Sequence, residues 1–172
     1  MDQPKPIPIA APELSSGAML AETMLALNNS HAEELSWLER ERLQELVAQA
    51  FYARRIGDLD AFLIALDQDG HYDSPNFLWF RSRYARFVYV DRIVVAESAR
   101  GMGCARRLYA DLFDRASEAG HDRIVCEVNL QPPNPASDAF HAALGFTEVG
   151  SASIHGGSKT VRYLSRQRSM RS

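Results

Sequence analysis

Cysteine is scarce: Cys104 and Cys126 are the only two in 172 residues, and they form no CxxC pair. This excludes a disulfide framework and a cysteine-built metal knuckle. His31, His71, His121 and His155 fall at no metal-ligand spacing, so no metal is expected. Positive charge is not in excess either. The formal net charge of −3 argues against a general nucleic-acid surface. The basic residues Lys159, Arg162, Arg166, Arg168 and Arg171 gather near the end of the chain, where residues 165–172 read as a flexible, solvated tail. No apolar run is long enough to span a bilayer. The opening Met1-Asp2-Gln3-Pro4-Lys5-Pro6 lacks the basic and apolar regions of a signal peptide. A soluble, cytoplasmic protein without a membrane partner is expected.

What remains is an ordinary globular composition, 46% apolar and 24% charged, at a length that suits one domain over residues 1–172. Residues 1–12 carry Pro4, Pro6, Pro8 and Pro12, which predicts an extended arm or edge strand. Helices are predicted over about 18–28 and 37–49. Ser36 with Glu39 fits a capping box for the second helix, whose apolar face is Leu43, Leu46, Val47 and Ala50. Residues 51–55 and 61–66 read as a hairpin about Gly57-Asp58. A long connection over 67–83 follows, of a length that compact domains often use for function. Then come a strand over 87–95, a helix over 104–119, a strand over 123–128, a helix over 135–144 begun by Asn134 and Pro135, and strands over 146–154 and 160–164. The class is α+β, with about four helices and six to seven strands.

One turn organises the rest. Residues 87–95 end in Val94-Val95, and a short segment rich in small residues leads into the next helix. Glycines at a helix mouth let backbone N–H groups approach an anion, and the helix dipole adds positive potential there. No Gly-Lys-Ser/Thr follows, so the turn is not a P-loop. Gly101-Met102-Gly103 lacks the third glycine of a dinucleotide fingerprint. The pattern that fits is Arg/Gln-x-x-Gly-x-Gly/Ala, met by Arg100, Gly103 and Ala105. A second motif runs from Asn134 through Phe140-His141 to Leu144-Gly145-Phe146. Together they resemble the GNAT superfamily of N-acetyltransferases, closely over residues 87–149 and in element order over 18–164.

That resemblance implies a central mixed, mostly antiparallel sheet whose two central parallel strands splay apart. It implies acetyl-CoA as cofactor, with the pantetheine arm along Ile93, Val94 and Val95, and the pyrophosphate at Arg100 and the amides of Gly101, Met102, Gly103, Cys104 and Ala105. Asn134 would contact the pantetheine region. The implied reaction is direct acetyl transfer to a primary amine: a small amine, an amino acid or a peptide N-terminus. A base takes a proton from the ammonium, donors hold the oxyanion, and an acid protonates the thiolate.

Glu127, in Cys126-Glu127-Val128-Asn129, is the first candidate base. Its surroundings resemble the corresponding stretch of the ribosomal-protein N-terminal alanine acetyltransferases, although Gln131-Pro132-Pro133 lengthens the connection that follows. Asp91 is the rival, expected by strand alternation on the face of Tyr89, Ile93 and Val95. His141 stands where the family usually has its tyrosine acid. Asn29, Tyr72, Asn76, Phe77 and Trp79 are expected to line the acceptor site, since aromatic faces suit a cationic amine. A non-catalytic acyl-CoA-binding or regulatory module is the alternative, and a homodimer joined through the C-terminal strands is compatible with the enzyme.

Overall fold

The computed structural model describes residues 3–15, 17–32 and 35–168. Among these, seven strands form one sheet in the order β1-β2-β3-β4-β5-β7-β6. They are β1 (Ile7–Pro8), β2 (Tyr52–Ile56), β3 (Ala61–Asp67), β4 (Val88–Val95), β5 (Arg123–Gln131), β6 (Thr147–Ile154) and β7 (Lys159–Gln167). The helices are α1 (Met19–Asn29), α2 (Arg40–Gln49), α3 (Pro75–Arg81), α4 (Cys104–Glu118) and α5 (Pro135–Ala143).

Strand β3 explains the layering. Its apolar run is buried at six successive positions because both faces are covered. Phe62, Ile64 and Leu66 join the core beneath α1, α2 and α3, whereas Ala61, Leu63 and Ala65 join the core beneath α4. On α4, Cys104, Leu108, Tyr109, Leu112 and Ala116 recur at helical spacing and are buried together. Full burial of Leu108 and Leu112 contributes about 2 kcal/mol each.

All strand pairs are antiparallel except β4 with β5, which is parallel and pairs only at Val88–Ile124 and Tyr89–Val125. Beyond Tyr89 the two strands separate. The backbone of β4 facing β5 therefore has no ladder partner from there onward.

Four expectations are corrected. The second helix begins at Arg40, not near residue 37, and Glu39 makes no side-chain cap. Instead Asn28 Nδ2 donates to the Ser36 carbonyl, while Asn29 bonds both backbone groups of Leu38. These bonds hold 36–38 out of helical geometry. The connection over 67–83 contains α3, with Pro75 at its first turn. Residues 165–167 belong to β7 and are not tail; 169–172, with Arg171, lie outside the described residues, as do residues 1 and 2. Finally, β4 carries a bulge. Ile64 pairs with Arg92 and Ala65 with Val90, so Asp91 is left over. The extra residue reverses side-chain parity. Ile93 and Val95 turn to the α4 face, while Tyr89 and Val94 share the opposite core, so Asp91 does not alternate with Ile93 and Val95 as expected.

Candidate active site

The separation of β4 from β5 opens a cleft of about 810 Å³. One end is lined by Ile93, Val94, Val95 and Arg100; the other is bounded by the segment around Ser36–Leu38 and by Ile154, His155 and Lys159. Glu127 and Asp91 line the cleft between these ends.

At the first end, Gly101 and Gly103 have φ of +79° and +77°. A Cβ at either would meet nothing within 4 Å, so glycine is needed there for its backbone freedom. Gly103 is the N-cap of α4 and makes no side-chain cap. The first-turn amides of Gly103, Cys104, Ala105 and Arg106 have no partner within the helix. Met102 is exposed. Asn134 caps α5, its Oδ1 accepting from Ser137 N at 3.3 Å, and also lines the cleft.

Glu127 is half-buried on β5. Its Oε2 accepts from the Tyr89 hydroxyl at 2.8 Å and its Oε1 from Asn76 Nδ2 at 3.1 Å. Asn76 is fixed in turn, its Oδ1 accepting from Tyr163 at 2.9 Å. Burial pushes the Glu127 carboxyl up to about 7; the Asp91 charge adds to the rise, and the bonds from Tyr89 and Asn76 together with the Lys159 charge oppose it. Asp91 is engaged differently. Arg92 Nε donates to its Oδ2 at 2.7 Å, and the Tyr72 hydroxyl is hydrogen-bonded to it. Arg92, itself buried, anchors to Asn28 of α1 at 2.7 Å. Burial and the Asp91 charge push the Tyr72 hydroxyl up.

His141 is buried with both ring nitrogens occupied. Nδ1 lies 2.8 Å from the Ser137 carbonyl, which assigns the proton to Nδ1, so Nε2 accepts from Tyr109 at 2.7 Å. Burial lowers its pKa and keeps it neutral. Burial likewise pushes the Cys126 thiol well up, against use as a nucleophile.

The five expected acceptor-site residues divide. Tyr72 and Asn76 line the cleft. Phe77 and Trp79 do not: Phe77 is in the core beside Phe87 and Tyr89, and Trp79 stacks on Tyr163 at 4.2 Å. Asn29 spends its amide on Leu38. Sequence reading passed over Tyr89, Tyr109 and Arg92. A tyrosine in the apolar face of α4 was a visible signal for Tyr109, but no local pattern names its partner.

A sheet covered by helices on both faces, with a gap between two parallel strands, glycines at a helix mouth, and a raised carboxyl inside the gap, defines a transferase-type cleft. The acetyltransferase (GNAT) family profile matches residues 24–146, and the chain belongs to that family of acyltransferases. No curated protein sequence matches. Similar solved structures include the ribosomal-protein-S18-alanine N-acetyltransferase from Escherichia coli, with a TM-score of 0.69 at 15% identity over 98% of this chain and 96% of that one. Ard1 from Thermoplasma volcanium has a TM-score of 0.73 at 11% identity over 98% and 100% of the two chains. A putative acetyltransferase from Salmonella typhimurium with its cofactor acetyl-CoA has 0.68 at 14% identity over 99% and 97%. Among the described residues, no helix is long and apolar enough to cross a membrane and no group of three His, Cys, Asp or Glu is placed to hold a metal ion.

Proposed function

We propose that residues 1–172 act as one domain that transfers an acetyl group from acetyl-CoA to a primary amine, the α-amino group of a peptide or amino acid being the best-matched acceptor. The observation that carries this reading is Glu127, a carboxylate of pKa about 7 suspended in the cleft by two neutral donors. An α-amino group titrates at about 7.7–8.0, within about a unit of this base, whereas a lysine side chain at about 10.4 lies more than three units above it. A likeness to the E. coli ribosomal-protein-S18-alanine enzyme points the same way.

The residues suit the cofactor. The unpaired β4 backbone along Ile93, Val94 and Val95 would take the pantetheine amides. The α4 first-turn amides with Arg100 would take the pyrophosphate. Bound acetyl-CoA supplies the activated acetyl group. Glu127 takes a proton from the acceptor ammonium, with Tyr89 and Asn76 fixing the carboxylate plane. Asp91, tied to Arg92, shapes the floor and its negative potential. His141 holds the Tyr109 hydroxyl and, in the tautomer its partners assign, donates no proton from Nε2. Two buried free cysteines suit a reducing, cytoplasmic setting.

Native mass spectrometry with acetyl-CoA, followed by thiol release over peptides, amino acids and alkyl amines, tests the reading. Binding, release with α-amino acceptors, and loss of release in Glu127→Gln with binding retained are expected. Release that survives Glu127→Gln removes Glu127 as the base, and failure to bind acetyl-CoA removes the function.

A further inference from the structure

Two of the cations lining the acceptor end of the cleft are held in ion pairs. Arg92 is paired with Asp91, and Arg42 with Asp73. Lys159 has no ion-pair or hydrogen-bond partner among the described residues, yet it lines the cleft and its charge acts on Glu127. Its direction follows from the strand register. Glu127 pairs with Tyr163, and Lys159, Val161 and Tyr163 alternate to one face of β7. Val161 and Tyr163, together with Ile154 opposite Lys159, belong to the core on the Glu127 side. Lys159 therefore stands on the same face as Glu127, at the rim. A smaller cavity of about 400 Å³ opens beside it, lined also by Leu35, Ser36, Pro132 and His155.

We propose that Lys159 recognises a carboxylate on the acceptor, borne by the side chain of the second residue of a peptide whose N-terminus meets Glu127. This rests on the acetyl-transfer reading above. A base at the floor and an ammonium with no bonded partner among the described residues at the rim complement a molecule carrying the opposite charges in the opposite order. The spacing selects among such molecules. Tyr163 lies four positions along β7 from Lys159, about 13 Å at ~3.3 Å per residue. The carboxylate of a free α-amino acid lies one carbon from its own amine. An acidic side chain on the second residue of a peptide lies further along an extended acceptor, in keeping with that offset, with the adjoining cavity to receive its methylenes. A rim cation of this kind acts chiefly through selectivity and encounter.

The test uses the full chain and two peptides that differ only in Glu or Gln at the second position. Wild type is expected to favour the Glu peptide severalfold in kcat/KM, up to about tenfold. Lys159→Met is expected to bring the ratio near one through a higher KM for the Glu peptide, and Lys159→Glu to reverse it. A CoA-induced thermal shift in each variant reports that it is folded. Wild-type turnover of both peptides at equal efficiency, or a ratio that survives in Lys159→Met, overturns this proposal and leaves acetyl transfer standing. Bound CoA with no turnover of either peptide but release with amino acids or alkyl amines overturns this proposal alone, and no release with any amine overturns both.

Discussion

The carboxyl of Glu127 is poised by opposing forces of different kinds. Burial and the Asp91 charge favour its protonated form; the Tyr89 and Asn76 donors and the Lys159 charge favour the anion. The balance near 7 makes two measurements informative. With Glu127 as the proposed base, activity requires the anion, so kcat/KM is expected to rise with pH through about 7. Tyr89→Phe removes a donor to the anion and is expected to move that limb upward; a limb that stays in place would exclude Tyr89 from setting the pKa. Stability runs the other way. A glutamate titrates at about 4.3 when unfolded, so between about 4.3 and 7 the folded state holds a proton that the unfolded state has released. The contribution of this group is full below pH 4 and is lost as pH rises through about 7. Glu127→Gln cannot lose it. Urea unfolding at pH 8 is therefore expected to find the variant more stable than wild type, by up to about 3 kcal/mol, with the gap closing near pH 4. Parallel stability curves for the two proteins would show that Glu127 is not raised.

At the scale of elements, α3 repays attention because its placement fixes Asn76 under Glu127. The helix is held by Trp79, which lies against Gly150 of β6 and stacks on Tyr163 of β7. A Cβ on Gly150 would sit 2.4 Å from Trp79 Cζ2. Gly150→Ala is thus expected to cost about 1–3 kcal/mol by overpacking. Trp79→Phe in the same chain should recover part of that loss, so the two changes will not add. Additive losses would mean that the contact is not what makes Gly150 necessary. Little of this was legible beforehand. A helix of seven residues has too few turns to establish an apolar period, and Ser74-Pro75 was its one local sign. The capping box at Ser36 and Glu39 failed for a related reason. Its geometry was overridden by amides of Asn28 and Asn29 reaching from another helix. The longer elements were legible because α4, α5 and the hairpin of β2 with β3 carry their own start, stop and periodicity.

Across the whole molecule, the two ends of the cleft differ in how the chain encodes them. The cofactor end is nearly continuous in sequence, strand to turn to helix over residues 88–118, and its motif could be read directly. The proposed acceptor end is assembled from distant pieces: Asn76 meets Glu127 across 51 positions and Tyr163 across 87. No local spacing encodes such meetings, and the bulge at Asp91 reverses the one parity argument that was available. The same architecture determines what ligand binding should do. One edge of β4 is paired with β3 along its length, while the other has two pairings with β5 and then none. Amides facing β3 are protected in the free protein; those facing the gap exchange with solvent. Hydrogen exchange followed by mass spectrometry is expected to slow at least about tenfold over residues 91–95 when CoA is added, together with the turn at 100–105, because the pantetheine amides complete the interrupted ladder. Slowing confined to the turn would mean that the phosphates alone are held and that the gap between the central strands is not the cofactor channel.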